Sequence, residues 1–182
     1  MINYLGDLKK GKNLLTEIKN KHESMLMDIS VFNLEKGKSE VFFEENKETA
    51  LLLLNGKVEI LWDGQSAVLE RDNVFDERPT CLHVSKGVKI ELKVLEDSEV
   101  LIQKTENNNK FDSKLYLKED CTSEIFGDGV WNDTARRVVR TVFDYKNAPY
   151  SNMVMGEVIN YPGKWSSYPP HHHPQPEVYY YK

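Results

Sequence analysis

The sequence predicts an all-β fold, and three observations carry that expectation. Apolar and polar side chains alternate with a period of two over residues 57–62 and again over 88–94. Turn-forming pairs, Asn55-Gly56 and Asp63-Gly64, punctuate the apolar runs at short intervals. Stretches with helical periodicity are scarce. Short strands at this spacing build a barrel or a sandwich.

The elements follow in order. Residues 14–21 have room for a short helix. The run Leu51, Leu52, Leu53, Leu54 is expected to be a strand closed by a turn at Asn55-Gly56. Val58, Ile60 and Trp62 then form one strand face, with Lys57 and Glu59 on the other. Val88, Ile90, Leu92 and Val94 repeat the pattern against Lys89, Glu91 and Lys93, and 99–103 reads as one more strand. The polar stretch 105–110, TENNNK, breaks the β pattern and reads as a surface junction between two units, 1–110 and 111–182. In the second unit 114–117 is a strand, 126–133 (FGDGVWND) an irregular loop, and 136–143 and 153–159 are strands.

The chain has 182 residues and a formal net charge of −5, which disfavours a general nucleic-acid binder. Cys81 and Cys121 are too few for a disulfide framework and fit a reducing compartment. No stretch approaches the roughly 20 apolar residues of a membrane span, and the N-terminus lacks the apolar core of a signal peptide. The expectation is a soluble cytoplasmic protein without a membrane or nucleic-acid partner. Exposed strand edges would permit a homo-oligomer.

The densest chemistry lies near the C-terminus, in GKWSSYPPHHHPQPEVYYYK, where His171, His172 and His173 precede Glu177. An affinity tag would be longer and flanked by linker residues, whereas prolines 162, 169, 170, 174 and 176 surround this cluster. On a strand His171 and His173 share a face and His172 points away. Glu177 has the same parity if the chain stays extended. Two imidazole nitrogens and one carboxylate oxygen suit zinc, manganese, iron or nickel, and ligand type does not choose among these divalent ions. The alternative is a solvated histidine patch. Tyr179 and Tyr181 share the parity of Glu177, as interior proton donors or as structural residues. Arg136, Arg137 and Arg140 gather on one expected strand, with Arg136 and Arg140 on one face and Arg137 on the other. They could hold a substrate carboxylate or form a solvated basic edge. His83 shares a strand face with Cys81 and reads as a hydrogen-bonded structural histidine.

The segment WSSYPPHHHPQPE followed by VYYY resembles the first metal-binding motif of the cupin superfamily, and more narrowly that of 5-deoxy-glucuronate isomerases. These are bicupin enzymes of myo-inositol breakdown, related to 5-keto-4-deoxyuronate isomerases. NVFDERPTCLHV (73–84) and ARRVVRTVF (135–143) resemble two further stretches of that family. The resemblance implies two jelly-roll barrels, the first complete and without metal ligands and the second partial, so that the chain would be a piece of a longer protein with impaired activity. It also implies isomerisation of 5-deoxy-glucuronate to 2-deoxy-5-keto-gluconate. His171, His173 and Glu177 would hold a divalent metal, and Arg136, Arg137, Arg140 and Tyr179 would bind the sugar acid. Glu177 as catalytic base is the weaker assignment, since a metal-bound carboxylate loses basicity. A non-catalytic sugar-binding or regulatory cupin and an iron-dependent dioxygenase are the competing classes.

Overall fold

The computed structural model describes residues 6–19, 22–167, 169 and 171–182. Among them run eleven strands and two short 3-10 turns, Glu23–Met25 and Lys118–Asp120. The all-β expectation holds. The strands are β1 (Gly11–Thr16), β2 (Asp28–Leu34), β3 (Ser39–Phe42), β4 (Lys47–Trp62), β5 (Gln65–Arg71), β6 (Cys81–Val84), β7 (Ile90–Glu106), β8 (Lys114–Tyr116), β9 (Glu124–Phe126), β10 (Arg137–Phe143) and β11 (Met155–Asn160).

An eight-stranded antiparallel sheet runs in the order β1-β2-β7-β4-β6-β8, with β3 also paired to β7 and β5 to β4. A three-stranded sheet runs β11-β10-β9. The central pair, β4 with β7, runs from Lys47 opposite Glu106 to Trp62 opposite Ile90, with its register shifting on the way. Each of these long strands changes its second neighbour halfway: β4 pairs first with β6 and then with β5, and β7 pairs first with β3 and then with β2. The sheet therefore folds over on itself.

The leucine run explains why β4 lies at the centre. Leu51 and Leu53 enter one core cluster with Phe32, Leu82, Leu92 and Ile102. Leu52 and Leu54 point the other way, into a second cluster with Cys81, Tyr116, Val142, Phe143 and Met155. A strand apolar on both faces is stable only when both are covered. The second cluster is the layer between the two sheets.

Several local expectations are corrected. Asn55-Gly56 is not a turn: β4 runs through it, with the register against β7 shifting between Leu53 and Val58. Gly56 has φ +98°, and a Cβ there would sit 2.3 Å from the Asp97 carbonyl oxygen, so the bulge demands glycine for both conformation and space. The expected strands at 88–94 and 99–103 are one strand, β7, which begins at Ile90. Residues 11–16 form β1 rather than the start of a helix, because they pair with β2 from Gly11 opposite Asn33. Asn20 and Lys21 of that stretch lie outside the described residues. The TENNNK stretch is not purely a surface junction, since Asn107 is buried. After it, β8 joins the eight-stranded sheet by pairing with β6.

Candidate metal and substrate site

β10 and β11 form the platform that leads to the histidines. They pair from Arg137 opposite Asn160 to Phe143 opposite Met155, and β9 covers the other edge of β10. The loop 127–136 turns on Gly127 (φ +70°), where a Cβ would meet the Ala135 carbonyl at 2.3 Å. Beyond β11 the Trp165 N–H donates to the Thr134 carbonyl at 2.8 Å, and the Trp131 and Trp165 rings meet edge to face at 5.2 Å. These contacts tie the WSS segment back to the loop. Tyr168 and Pro170 lie outside the described residues.

The histidines stand on an exposed segment that belongs to none of the strands, and its geometry differs from the expected extended one. His173 Nε2 lies 3.3 Å from Glu177 Oε2. In an extended chain, residues four apart stand about 13 Å from each other. Bends at Pro174 and Gln175 close that gap, with His173 Nδ1 2.8 Å from the Gln175 carbonyl oxygen. His171 Nδ1 makes the matching contact with the Pro169 carbonyl at 2.8 Å. A carbonyl only accepts, so in both rings Nδ1 carries the hydrogen. In His171 the neutral tautomer leaves Nε2 as a lone-pair nitrogen, the form in which histidine ligates, whereas Nε2 of His173 faces the Glu177 carboxylate, itself only an acceptor. The His171 and His173 rings are 6.0 Å apart. Among the described residues no group of three or more His, Cys, Asp or Glu side chains gathers closely enough to hold a metal ion. The structure thus joins His173 to Glu177 and leaves His171 beside them.

The three arginines separate. Arg140 is buried, and its Nη groups donate to the carbonyls of Val74 (2.8 Å), Phe75 (2.9 Å) and Glu77 (2.7 Å), with Glu157 at 3.6 Å. It holds the 73–78 loop. Arg136 pairs with Asp128 at 2.9 Å and lies over the Tyr161 ring, and the Asp128 carboxylate holds its proton above the usual guanidinium range. Arg137 donates to the Ala135 carbonyl at 3.0 Å, sits over Phe126, and lies close enough to Tyr179 to act on its hydroxyl electrostatically. Of the three arginines, Arg137 is the one whose charge acts on Tyr179, two residues beyond Glu177.

The tyrosines also divide by parity, with the opposite sense to the interior reading. Val178 and Tyr180 pack on the cluster between the sheets, whereas Tyr179 and Tyr181 are exposed together with Glu177. Tyr179 shares a hydrogen bond with Glu177, which together with burial and the Glu177 charge pushes its hydroxyl up to about 12. Residues 178–181 pair with no strand, so the expected VYYY strand is absent from the described structure.

Two structural groups escaped the sequence reading. Arg71, fully buried at the end of β5, grips Glu157 of β11. Glu48, fully buried on β4, accepts from His83, whose expected role as a hydrogen-bonded structural histidine is what the structure shows. The only clue in the sequence was the strand parity that places Arg71 with the inward-facing Leu69.

The fold and this polar end define an all-β chain of two antiparallel sheets around a shared apolar layer, and comparison with known proteins gives the family. The KduI/IolB family profile matches residues 4–182, so the chain belongs to that family. The 5-deoxy-glucuronate isomerase of Halalkalibacterium halodurans is 25% identical over 173 residues, covering 92% of this chain and 62% of the relative. That of Lacticaseibacillus casei is 28% identical with the same coverage. The chain therefore spans about 62% of the length of these curated relatives. Among solved structures, an IolB-like protein from Salmonella typhimurium superposes with a TM-score of 0.69 at 13% identity, over 77% of this chain and 52% of its own. No helix among the described residues is long and apolar enough to cross a membrane.

Proposed function

We propose that this chain carries the metal-binding and substrate-binding end of a sugar-acid isomerase that converts 5-deoxy-glucuronate to 2-deoxy-5-keto-gluconate. The carrying observation is the approach of His173 Nε2 to Glu177 Oε2 at 3.3 Å, with Nδ1 of both histidines engaged by backbone carbonyls. Two donors each about 2.1 Å from one divalent ion, at tetrahedral or octahedral angles, stand roughly 3.0–3.4 Å apart, so this pair fits such an ion. His171, His173 and Glu177 are the residues that would hold it. When bound, it supplies Lewis-acid stabilisation of the oxygen on which charge builds as a proton or hydride moves between adjacent carbons.

The remaining work falls to this chain's own groups. Arg137 is the natural partner for the substrate carboxylate, and Arg136 lies next to it with Asp128 fixing its guanidinium. Arg140 supports them by holding the 73–78 loop rather than by touching substrate. Tyr179, its hydroxyl kept protonated, donates to Glu177 and fixes the direction of that carboxylate. The relatives named as 5-deoxy-glucuronate isomerases support this choice of substrate. A non-catalytic sugar-binding protein is the second reading, favoured by the meeting of only two donors among the described residues.

The test is elemental mass spectrometry of the purified protein beside a variant carrying His171→Ala and His173→Ala, followed by assay on 5-deoxy-glucuronate with and without a chelator. Near-stoichiometric metal in the unsubstituted protein alone, with chelator-sensitive turnover, is expected. Metal without turnover would favour the non-catalytic reading. Absence of both metal and turnover, in the length the gene encodes, would sink the proposal.

A further inference from the structure

The asparagine-rich stretch at the end of β7 leads to a buried polar cluster that the proposed reaction does not use. Its centre is Glu48, fully buried on β4. His83 Nε2 lies 2.7 Å from Glu48 Oε2, and Ser151 Oγ donates to the same oxygen at 2.9 Å. Asn107 Nδ2 donates to Oε1 at 3.0 Å and the Asn152 backbone N–H at 2.7 Å. A carboxylate only accepts, so Nε2 of His83 carries its hydrogen toward Glu48. Four donors therefore converge on one anion, which is how a buried charge is made tolerable.

The donors come from both sheets. His83 stands on β6, and Asn107 follows β7 of the eight-stranded sheet. Ser151 and Asn152 belong to the segment that joins β10 to β11. The same two segments are stitched again around this anion. Asn107 Nδ2 and Asn109 Nδ2 donate to the Tyr150 carbonyl at 2.8 and 3.1 Å, and Asn152 Nδ2 donates to the Glu106 carbonyl at 2.9 Å. The His83 ring is stacked on Phe143 of β10 at 4.3 Å and 5°. The apolar layer between the sheets could slide at little cost, since hydrophobic contact is non-directional. Four hydrogen bonds to one fixed carboxylate cannot.

We propose that Glu48 is a buried polar latch that fixes the three-stranded sheet on the eight-stranded one. Breaking the latch frees the 148–160 segment while the eight-stranded sheet stays folded.

Hydrogen exchange of the whole chain tests this with Glu48→Gln, which turns an amide NH₂ toward donors that need an acceptor, and with Ser151→Ala, which removes one donor. Cys81 and Cys121 lie buried in the layer between the sheets, so their labelling by a maleimide is an independent readout of opening. In Glu48→Gln the amides of 148–160 should exchange at least tenfold faster, and both thiols should label faster, while β2 and β7 keep their protection. Ser151→Ala should show the same pattern to a smaller degree, and it decides the matter if the glutamine variant does not fold. Unchanged exchange at 148–160 would overturn the latch. So would equal loss of protection across β2 and β7, because Glu48 would then support the eight-stranded sheet itself.

Discussion

Arg71 and Glu157 are 86 residues apart in sequence and meet in a two-pronged ion pair, Nη1 to Oε1 at 2.8 Å and Nη2 to Oε2 at 2.9 Å. The same guanidinium donates to the carbonyls of Leu53 and Glu77, so one side chain binds β4, the loop after β5, and β11. With Arg140 bound to the same loop and near the same carboxylate, the segment 72–79 is clamped between the sheets. Removing one partner of such a pair leaves a buried charge without its counterion. Glu157→Gln should therefore destabilise the fold by about 3–5 kcal/mol, read from denaturant unfolding. A loss below about 1 kcal/mol would show that the carbonyls alone satisfy Arg71.

Arg140 and Arg137 should separate cleanly on substitution. Arg140→Ala strips the Val74 and Phe75 carbonyls of this donor, leaves that of Glu77 with Arg71 alone, and should cost about 2–5 kcal/mol of stability. Arg137→Ala should leave stability within about 1 kcal/mol and weaken binding of the sugar acid at least tenfold, measured by calorimetric titration. Equal binding in Arg137→Ala and the unsubstituted protein would remove this residue from the substrate site.

Gly56 and Gly64 both have positive φ, +98° and +74°, yet only Gly56 has close neighbours. Gly56→Ala should destabilise the protein by well over 1 kcal/mol, since strain and collision with Asp97 and Ser98 add. Gly64→Ala should cost about 1 kcal/mol, the conformational term alone. Equal thermal midpoints for the two variants would contradict the account of the bulge.

Asp28 supplies a pH dependence. Burial pushes its carboxyl up, but the hydrogen bond from Lys47, the Ile18 amide at 2.6 Å and the charges of Lys47 and Lys104 outweigh it and leave it below the ordinary 3.8. A depressed folded value means that the stabilisation is present above the unfolded value and is lost as pH falls through the folded one. Unfolding free energy of the unsubstituted protein should decline below about pH 4 more steeply than that of Asp28→Asn. Parallel curves for the two proteins from pH 5 to pH 2 would refute the assignment.

What was legible in the sequence follows from how local each cause is. Alternation at Val58, Ile60 and Trp62, and at Ile90, Leu92 and Val94, is written into adjacent residues, so the strands and their buried faces could be read directly. Asn55-Gly56 signals a residue with positive φ, and a turn and a bulge satisfy that signal equally. Only Asp97 and Ser98 on β7, far along the chain, decide for the bulge. Parity grouped Arg136 with Arg140, but β10 begins only at Arg137, and parity could not show that the carbonyls of Val74, Phe75 and Glu77 would take up Arg140. Glu48 looks like one more charge in ENKETA, and it is buried only because His83, Asn107, Ser151 and Asn152 converge on it. The approach of His173 to Glu177 depends on a bend at Pro174 and Gln175, where prolines had suggested an extended chain.

The β4–β7 ladder also has a consequence for the order of assembly. Both strands that pair with the leucine run lie downstream, β6 on one edge and β7 on the other, as do β10 and β11, which help cover one face. During synthesis residues 51–54 emerge as an apolar strand with two bare edges, and they wait until residue 106 has left the ribosome before the ladder can close. Long-range pairing of this kind places folding in the millisecond-to-second range. Throughout that interval the leucine run is the segment most open to pairing with another nascent copy, so productive folding is a race between closure and self-association.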